Sequence, residues 1–203
     1  MCAIFGVIGE NNPELIKKMS KVQEYRGPDK QNFLIEPNYN FCIGNNRLSV
    51  IDIKNGHQPM ESYDGNFTIV LNGTIYNHKD LKTFLLKKGV KFKTECDTEV
   101  LVNGYSFWRE KVFNYIDGMW AVAIFDKIKK EIVLSRDYLG QKPLYYEIQK
   151  KKILFSSQLK GIIQDKSFTR EIDNESVKNF FFSSFLKSPS TIYKSIKQVN
   201  PSE

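Results

Sequence analysis

The chain opens on a short apolar run, residues 2–9, closed by Gly9-Glu10-Asn11-Asn12, a pattern that predicts a buried strand. The period then changes. Over 13–25, Leu15, Ile16, Met19 and Val22 recur at helical spacing, with Pro13 near the start, where its missing N–H costs nothing. Arg26-Gly27-Pro28-Asp29 is a turn signal, and 31–35, 41–44 and 48–53 read as strand pieces. Asp64-Gly65 is a hairpin turn leading into a strand over 67–71. A helix over 80–88 is stopped by Gly89, and a second runs over Asp97–Trp108 with Asp97 or Thr98 at its N-terminus. Strands over 119–125, 131–135, 144–148 and 153–156, separated by Lys-rich turns, predict an antiparallel meander. Residues 157–163 and 174–186 read as helices. The stretch 187–203 contains Ser and Pro and reads as a tail or linker after a domain spanning 1–186. Strand runs interspersed with helix pairs argue for a layered α+β fold, not a parallel βαβ wheel.

A chain of 203 residues can bury a sizeable core without disulfides. Its net charge of +7 raises the question of nucleic acid. The positives are mostly lysines in turns, such as Lys87-Lys88 and Lys150 to Lys152, with no Arg-rich stripe beside them. They read as solvated turns, and no nucleic-acid partner is expected. The three cysteines, Cys2, Cys42 and Cys96, are odd in number and lack CxxC spacing, which disfavours a disulfide framework and a zinc site and points to a reducing, cytoplasmic setting. The start lacks the basic region of a signal peptide, and no apolar stretch approaches the length of a membrane span, so no membrane partner is expected.

Candidate chemistry begins at the N-terminus. Removal of Met1 would leave Cys2 with a thiol and a free α-amino group on one residue. An α-amine has a pKa of about 7.7–8.0 and can act as a general base toward a nucleophile. A papain-like Cys–His pair is disfavoured, because the only histidines, His57 and His78, lie in polar turn-like segments. Several polar motifs remain: Tyr25-Arg26-Gly27-Pro28-Asp29, Asn45-Asn46-Arg47-Leu48-Ser49, Leu71-Asn72-Gly73-Thr74-Ile75-Tyr76-Asn77 and Glu95-Cys96-Asp97-Thr98-Glu99. Two more follow, Asp117-Gly118-Met119-Trp120-Ala121 and the run Arg136 to Tyr146. Singly, each has an ordinary reading: Arg47 as a surface ion-pair partner, Asn72-Gly73 as a turn, Asp97 as a helix cap.

In this order, from Met1-Cys2 to Thr191-Ile192-Tyr193-Lys194, the motifs closely resemble class II glutamine amidotransferase domains, above all the N-terminal half of glutamine-hydrolysing asparagine synthetases. The resemblance implies the N-terminal nucleophile hydrolase fold, a four-layer αββα sandwich with two antiparallel sheets. It implies that Cys2 attacks the glutamine carboxamide and that its own amine carries the proton. It implies an oxyanion hole of the Asn72 side chain and the Gly73 N–H. Arg47 would hold the substrate carboxylate, with backbone groups of Val50 and Ile51 nearby, and Asp97 the ammonium. Where the family usually has Glu beside the oxyanion hole, this chain has Thr74, which leaves that part of the ammonium site without charge. No cofactor is implied for this domain; ATP and Mg would belong to a C-terminal synthetase domain, whose Ser-Gly-Gly-x-Asp-Ser loop does not occur here. Glutamine and that domain are the implied partners, with a homodimer left open. A sugar-phosphate or phosphoribosyl amidotransferase half, and a non-catalytic module of the same fold, stand as alternatives.

Overall fold

The computed structural model describes residues 1–203. Strand β1 (Ala3–Ile8) is buried at every position, which explains its unbroken apolar run. Its odd residues Ala3, Phe5 and Val7 pack with Leu15, Ile16 and Met19 of helix α1 (Pro13–Lys21). Its even residues Ile4 and Ile8 face the other way, into a second core. Helix α1 starts where Asn12 accepts the Leu15 N–H at 3.0 Å, an N-cap. It ends at Lys21, short of the expected 25, and Glu24–Arg26 form a 3-10 turn instead.

The strands β2 (Lys30–Glu36), β3 (Phe41–Arg47), β4 (Met60–Glu61), β5 (Phe67–Ile75), β6 (Gly118–Asp126), β7 (Glu131–Arg136), β8 (Tyr145–Ile148), β9 (Ile153–Ser156) and β10 (Ile196–Gln198) complete the β-structure. They form a 6-stranded sheet ordered β10-β8-β9-β1-β3-β2 and a 4-stranded sheet ordered β4-β5-β6-β7. Every pairing is antiparallel. The two sheets share the core into which Ile4 and Ile8 point, where the Phe41 and Phe125 rings stand 4.1 Å apart. Burying one such ring contributes roughly 1.5–3 kcal/mol. The outer face of the smaller sheet packs Phe67, Ile69 and Leu71 against Leu101 and Tyr105 of helix α3 (Asp97–Trp108), with Leu81 of α2 (His78–Lys87) alongside. Helix α1 and the short α4 (Leu159–Ile162) cover the larger sheet. The result is the expected α+β sandwich, helix on sheet on sheet on helix.

Three further local expectations are corrected. Residues 48–53 form no strand; Val50 and Ile53 are exposed, and the carbonyls of Ile51, Asp52 and Ile53 turn back to accept from Arg47. The meander is divided between the sheets, with β6 and β7 in one and β8 and β9 in the other. The turn between them is built on Asp137, whose carboxylate accepts the N–H groups of Trp120, Leu139, Gln141 and Lys142. Beside it, buried Arg136 donates to the carbonyls of Lys142, Gly140 and Val199. The stretch 187–203 is not a free tail. Helix α5 (Asn174–Ser183) ends at Ser184 in the left-handed region (φ 60), and the chain returns to pair β10 with β8, burying Thr191, Ile196 and Val199.

Candidate active site

Cys2 stands just ahead of β1. The pairing of Ala3 with Asn46 carries it to the end of β3, beside Arg47 and Leu48. The Leu48 N–H donates to Cys2 Sγ at 3.4 Å, and the thiol lies 3.6 Å from the Leu48 carbonyl oxygen. Arg26 Nε donates to the Cys2 carbonyl at 3.1 Å. Gly27 makes this approach feasible, because a Cβ there would fall 2.1 Å from the Asn46 carbonyl oxygen. The Arg-Gly-Pro-Asp turn therefore clamps Cys2 against β3.

The opposite wall is the free edge of β5. β4 pairs with β5 only at Met60–Ile69 and Glu61–Thr68, and Pro59 has no N–H with which to extend the ladder. The odd amides of β5 beyond Ile69 face that open edge. Leu71 N–H donates to Gln58 Oε1 at 2.6 Å, and Ile75 N–H donates to Asp97 Oδ2 at 3.0 Å. Gly73 lies between them in the same alternation. Its cross-strand neighbour Trp120 spends both its N–H and its carbonyl on Asp137, which marks Gly73–Trp120 as a pair that exchanges no hydrogen bonds. The Gly73 N–H thus points outward. No other residue fits here, since a Cβ would lie 2.1 Å from the Met119 carbonyl oxygen. Next to it, Asn72 is buried and its Nδ2 has no hydrogen-bond partner.

Asp97 opens α3, one residue inside the helix, with Cys96 at the cap position and no side chain capping the end. Its negative charge suits the positive end of the helix. Beside it the Cys96 thiol is buried and its pKa is pushed up to about 11, first by burial and then by the Asp97 charge. Arg47 is buried as well. Its Nη2 donates to the carbonyls of Ile51 and Asp52, both at 2.9 Å, and its Nη1 to that of Ile53 at 3.1 Å. Gly56 makes room for this fork, because a Cβ would sit 2.6 Å from Nη2.

These walls enclose a cavity of about 220 Å³, and every residue named from the sequence lines it: Cys2, Arg47, Val50, Ile51, Asn72, Gly73, Thr74 and Asp97. Sequence reasoning missed Gln58, Gly56, Thr98 and Lys142, which line it too. Gln58 and Gly56 belong to Gly56-His57-Gln58-Pro59, a turn-like segment with no periodic signal. Lys142 is 9% exposed and its Nζ reaches only the Met1 sulfur, at 3.6 Å, so the Met1 side chain sits against the same cavity as Cys2. No group of three or more His, Cys, Asp or Glu side chains is placed to hold a metal ion. No helix is long and apolar enough to cross a membrane.

A thiol just ahead of the first strand, a buried unpartnered amide and an outward backbone N–H around one cavity suit acyl transfer from an amide. A family profile described as a glutamine amidotransferase domain matches residues 1–203. The chain belongs to the glutamine amidotransferase family. Among relatives of this amidotransferase domain, asparagine synthetase (glutamine-hydrolyzing) 1 of Bacillus subtilis (strain 168) is 34% identical over 99% of the chain and 32% of its own length. Asparagine synthetase (glutamine-hydrolyzing) 3 of the same organism is 32% identical over 99% of the chain and 34% of its own length. The chain therefore spans about a third of these relatives. The solved structure of the glutamine phosphoribosylpyrophosphate amidotransferase of B. subtilis, complexed with ADP and GMP, superposes with a TM-score of 0.65 over 80% of this chain and 43% of that one. At 18% identity, that likeness shows the shared fold.

Proposed function

We propose that this domain hydrolyses L-glutamine to L-glutamate and ammonia through a thioester on Cys2, after removal of Met1. Cys2 Sγ attacks the carboxamide carbon while the Cys2 α-amine takes the thiol proton. The carbonyl oxygen becomes an oxyanion received by Asn72 Nδ2 and the Gly73 N–H. The α-ammonium then gives its proton to the departing nitrogen, ammonia leaves, and water cleaves the thioester to glutamate and free thiol. The Leu48 N–H, 3.4 Å from Sγ, helps to orient the attacking sulfur. The Arg47 guanidinium draws the substrate carboxylate beside Val50 and Ile51, and Asp97 draws the ammonium, with Thr74 adding no charge. Ammonia is passed to an amidation on a synthetase domain that, by the family resemblance, would use ATP and Mg; the relatives' names, asparagine synthetases, point to aspartate as the acceptor.

The observation that carries this reading is the unpartnered buried Nδ2 of Asn72 beside the outward Gly73 N–H. A buried amide without a partner costs about 1–3 kcal/mol, a cost that makes sense where a reacting oxygen supplies the partner. The test compares three proteins: one beginning at Cys2, one retaining Met1, and a processed Cys2→Ala variant. Glutamate release should track the fraction beginning at Cys2 by intact mass, because a peptide nitrogen has no basic lone pair. Cys2→Ala should fold and release none. Full turnover by homogeneous Met1-retaining protein would remove the amine from the mechanism, and turnover by Cys2→Ala would remove the nucleophile.

A further inference from the structure

The amides along the free edge of β5 are held at fixed intervals by side chains from elsewhere in the chain. Gln58 Oε1 takes the Leu71 N–H at 2.6 Å, two residues before Gly73, and Asp97 Oδ2 takes the Ile75 N–H at 3.0 Å, two residues after it. The other end of Gln58 is anchored too, since its Nε2 donates to Thr98 Oγ1 at 3.0 Å. Gln58 is 6% exposed and Thr98 1% exposed, so neither bond competes with solvent. One amide side chain thus ties the strand bearing Asn72 and Gly73 to the helix start bearing Asp97. From this geometry we infer that Gln58 is a positioning residue, which sets the oxyanion hole at a fixed place relative to the ammonium site.

The inference rests on the oxyanion-hole reading above and adds a residue to it. A buried backbone N–H left unpaired at Leu71 would be an orphan donor, and the edge of β5 would shift to satisfy it. Gly73 is the next amide along that edge, so its donor would move with the strand. Oxyanion donors act only in the transition state, whereas ground-state binding by Arg47 and Asp97 would persist. Losing the Gln58 brace should therefore lower kcat with little change in KM. A residue that merely stabilised the fold would lower the amount of active protein without a coupled response at Thr98.

The experiment measures steady-state glutaminase kinetics, with active sites titrated, in the chain beginning at Cys2. Gln58→Met keeps the length and removes both bonds. Its kcat should fall at least about tenfold, a part of the ~10²–10³-fold that removing an oxyanion donor costs. Its KM should stay within about threefold of wild type. Thr98→Val should lose several-fold in kcat, Thr98→Ser should restore it, and Gln58→Met/Thr98→Val should be no slower than Gln58→Met alone. Wild-type kcat in Gln58→Met, or a loss confined to KM, would overturn the inference. Where Gln58→Met yields no folded protein, the Thr98→Val and Thr98→Ser pair decides by the same criterion. Asn72→Ala separates the two levels. If it turns over at the wild-type rate, the oxyanion-hole reading itself falls. If it is slow while Gln58→Met is not, only the positioning role falls.

Discussion

Replacing Asn72 with Ala should damage catalysis without damaging the fold, an unusual pairing for a strand residue only 1% exposed. A buried Asn normally hydrogen-bonds, and truncating it orphans its partner at about 1–3 kcal/mol. Here Nδ2 has no partner to orphan. The substitution removes a desolvated donor and leaves a small gap, effects of opposite sign. Folding stability should stay within about 1 kcal/mol of wild type, on the scale of one unmade hydrogen bond. In the transition state the same nitrogen is worth far more: loss of one oxyanion-hole donor costs about 2.7–4 kcal/mol, or ~10²–10³ in kcat. Urea denaturation gives the first quantity and coupled glutamate detection gives the second, both on protein beginning at Cys2. A kcat within about threefold of wild type would remove Asn72 from the oxyanion hole, since even a weak donor is worth more than that. A large loss of stability would show that Nδ2 has a partner in solution and that its isolation carries no argument.

Two further outcomes follow from the cavity. Thr74→Glu places a carboxylate on the wall that Thr74 shares with Asp97, and it should lower the KM for glutamine several-fold with kcat little changed; an unchanged or higher KM would mean the ammonium is held elsewhere. Cys96 should make the fold sensitive to alkali: its thiol keeps its proton up to about 11 when folded, whereas an unfolded chain releases it above about 8.5. Its stabilising contribution is therefore complete below the unfolded value and lost as pH rises from about 8.5 toward about 11. Urea midpoints across that window should fall less steeply for Cys96→Ala than for wild type, and equal slopes would refute the assignment.

What could be read in advance divides along a physical line. Strand β1 was legible because burial on both faces leaves an unbroken apolar run, and α1 because Leu15, Ile16 and Met19 keep one face against the sheet. The candidate residues that share the cavity came from short motifs whose members sit on the elements that meet: Cys2 at the head of β1, Arg47 at the end of β3, Asn72 and Gly73 on β5, Asp97 at the start of α3. The strand expected over 48–53 failed because its apolar residues are not there to be buried. Val50 is 72% exposed, and the backbone of that loop is arranged by the Arg47 guanidinium, a side chain no periodicity can register.

The division of the meander between two sheets failed for a related reason. Strands β6 to β9 read as ordinary short strand runs, and nothing in them says that the turn after Arg136 changes sheets. That change depends on the Asp137 carboxylate gathering four backbone N–H groups and on Arg136 reaching Val199 O, 63 residues away. The brace at the active site is of the same kind. Gln58 lies 13 residues from the amide it caps and 40 from the hydroxyl that anchors it, and Asp97 lies 22 from its own. Local pattern specifies which strand an amide belongs to; it does not say which amides on a free edge will be capped from afar and which left open. On β5 the open one falls between the two capped ones, at a glycine beside an unpartnered asparagine, and it is on that arrangement that the proposed oxyanion hole rests.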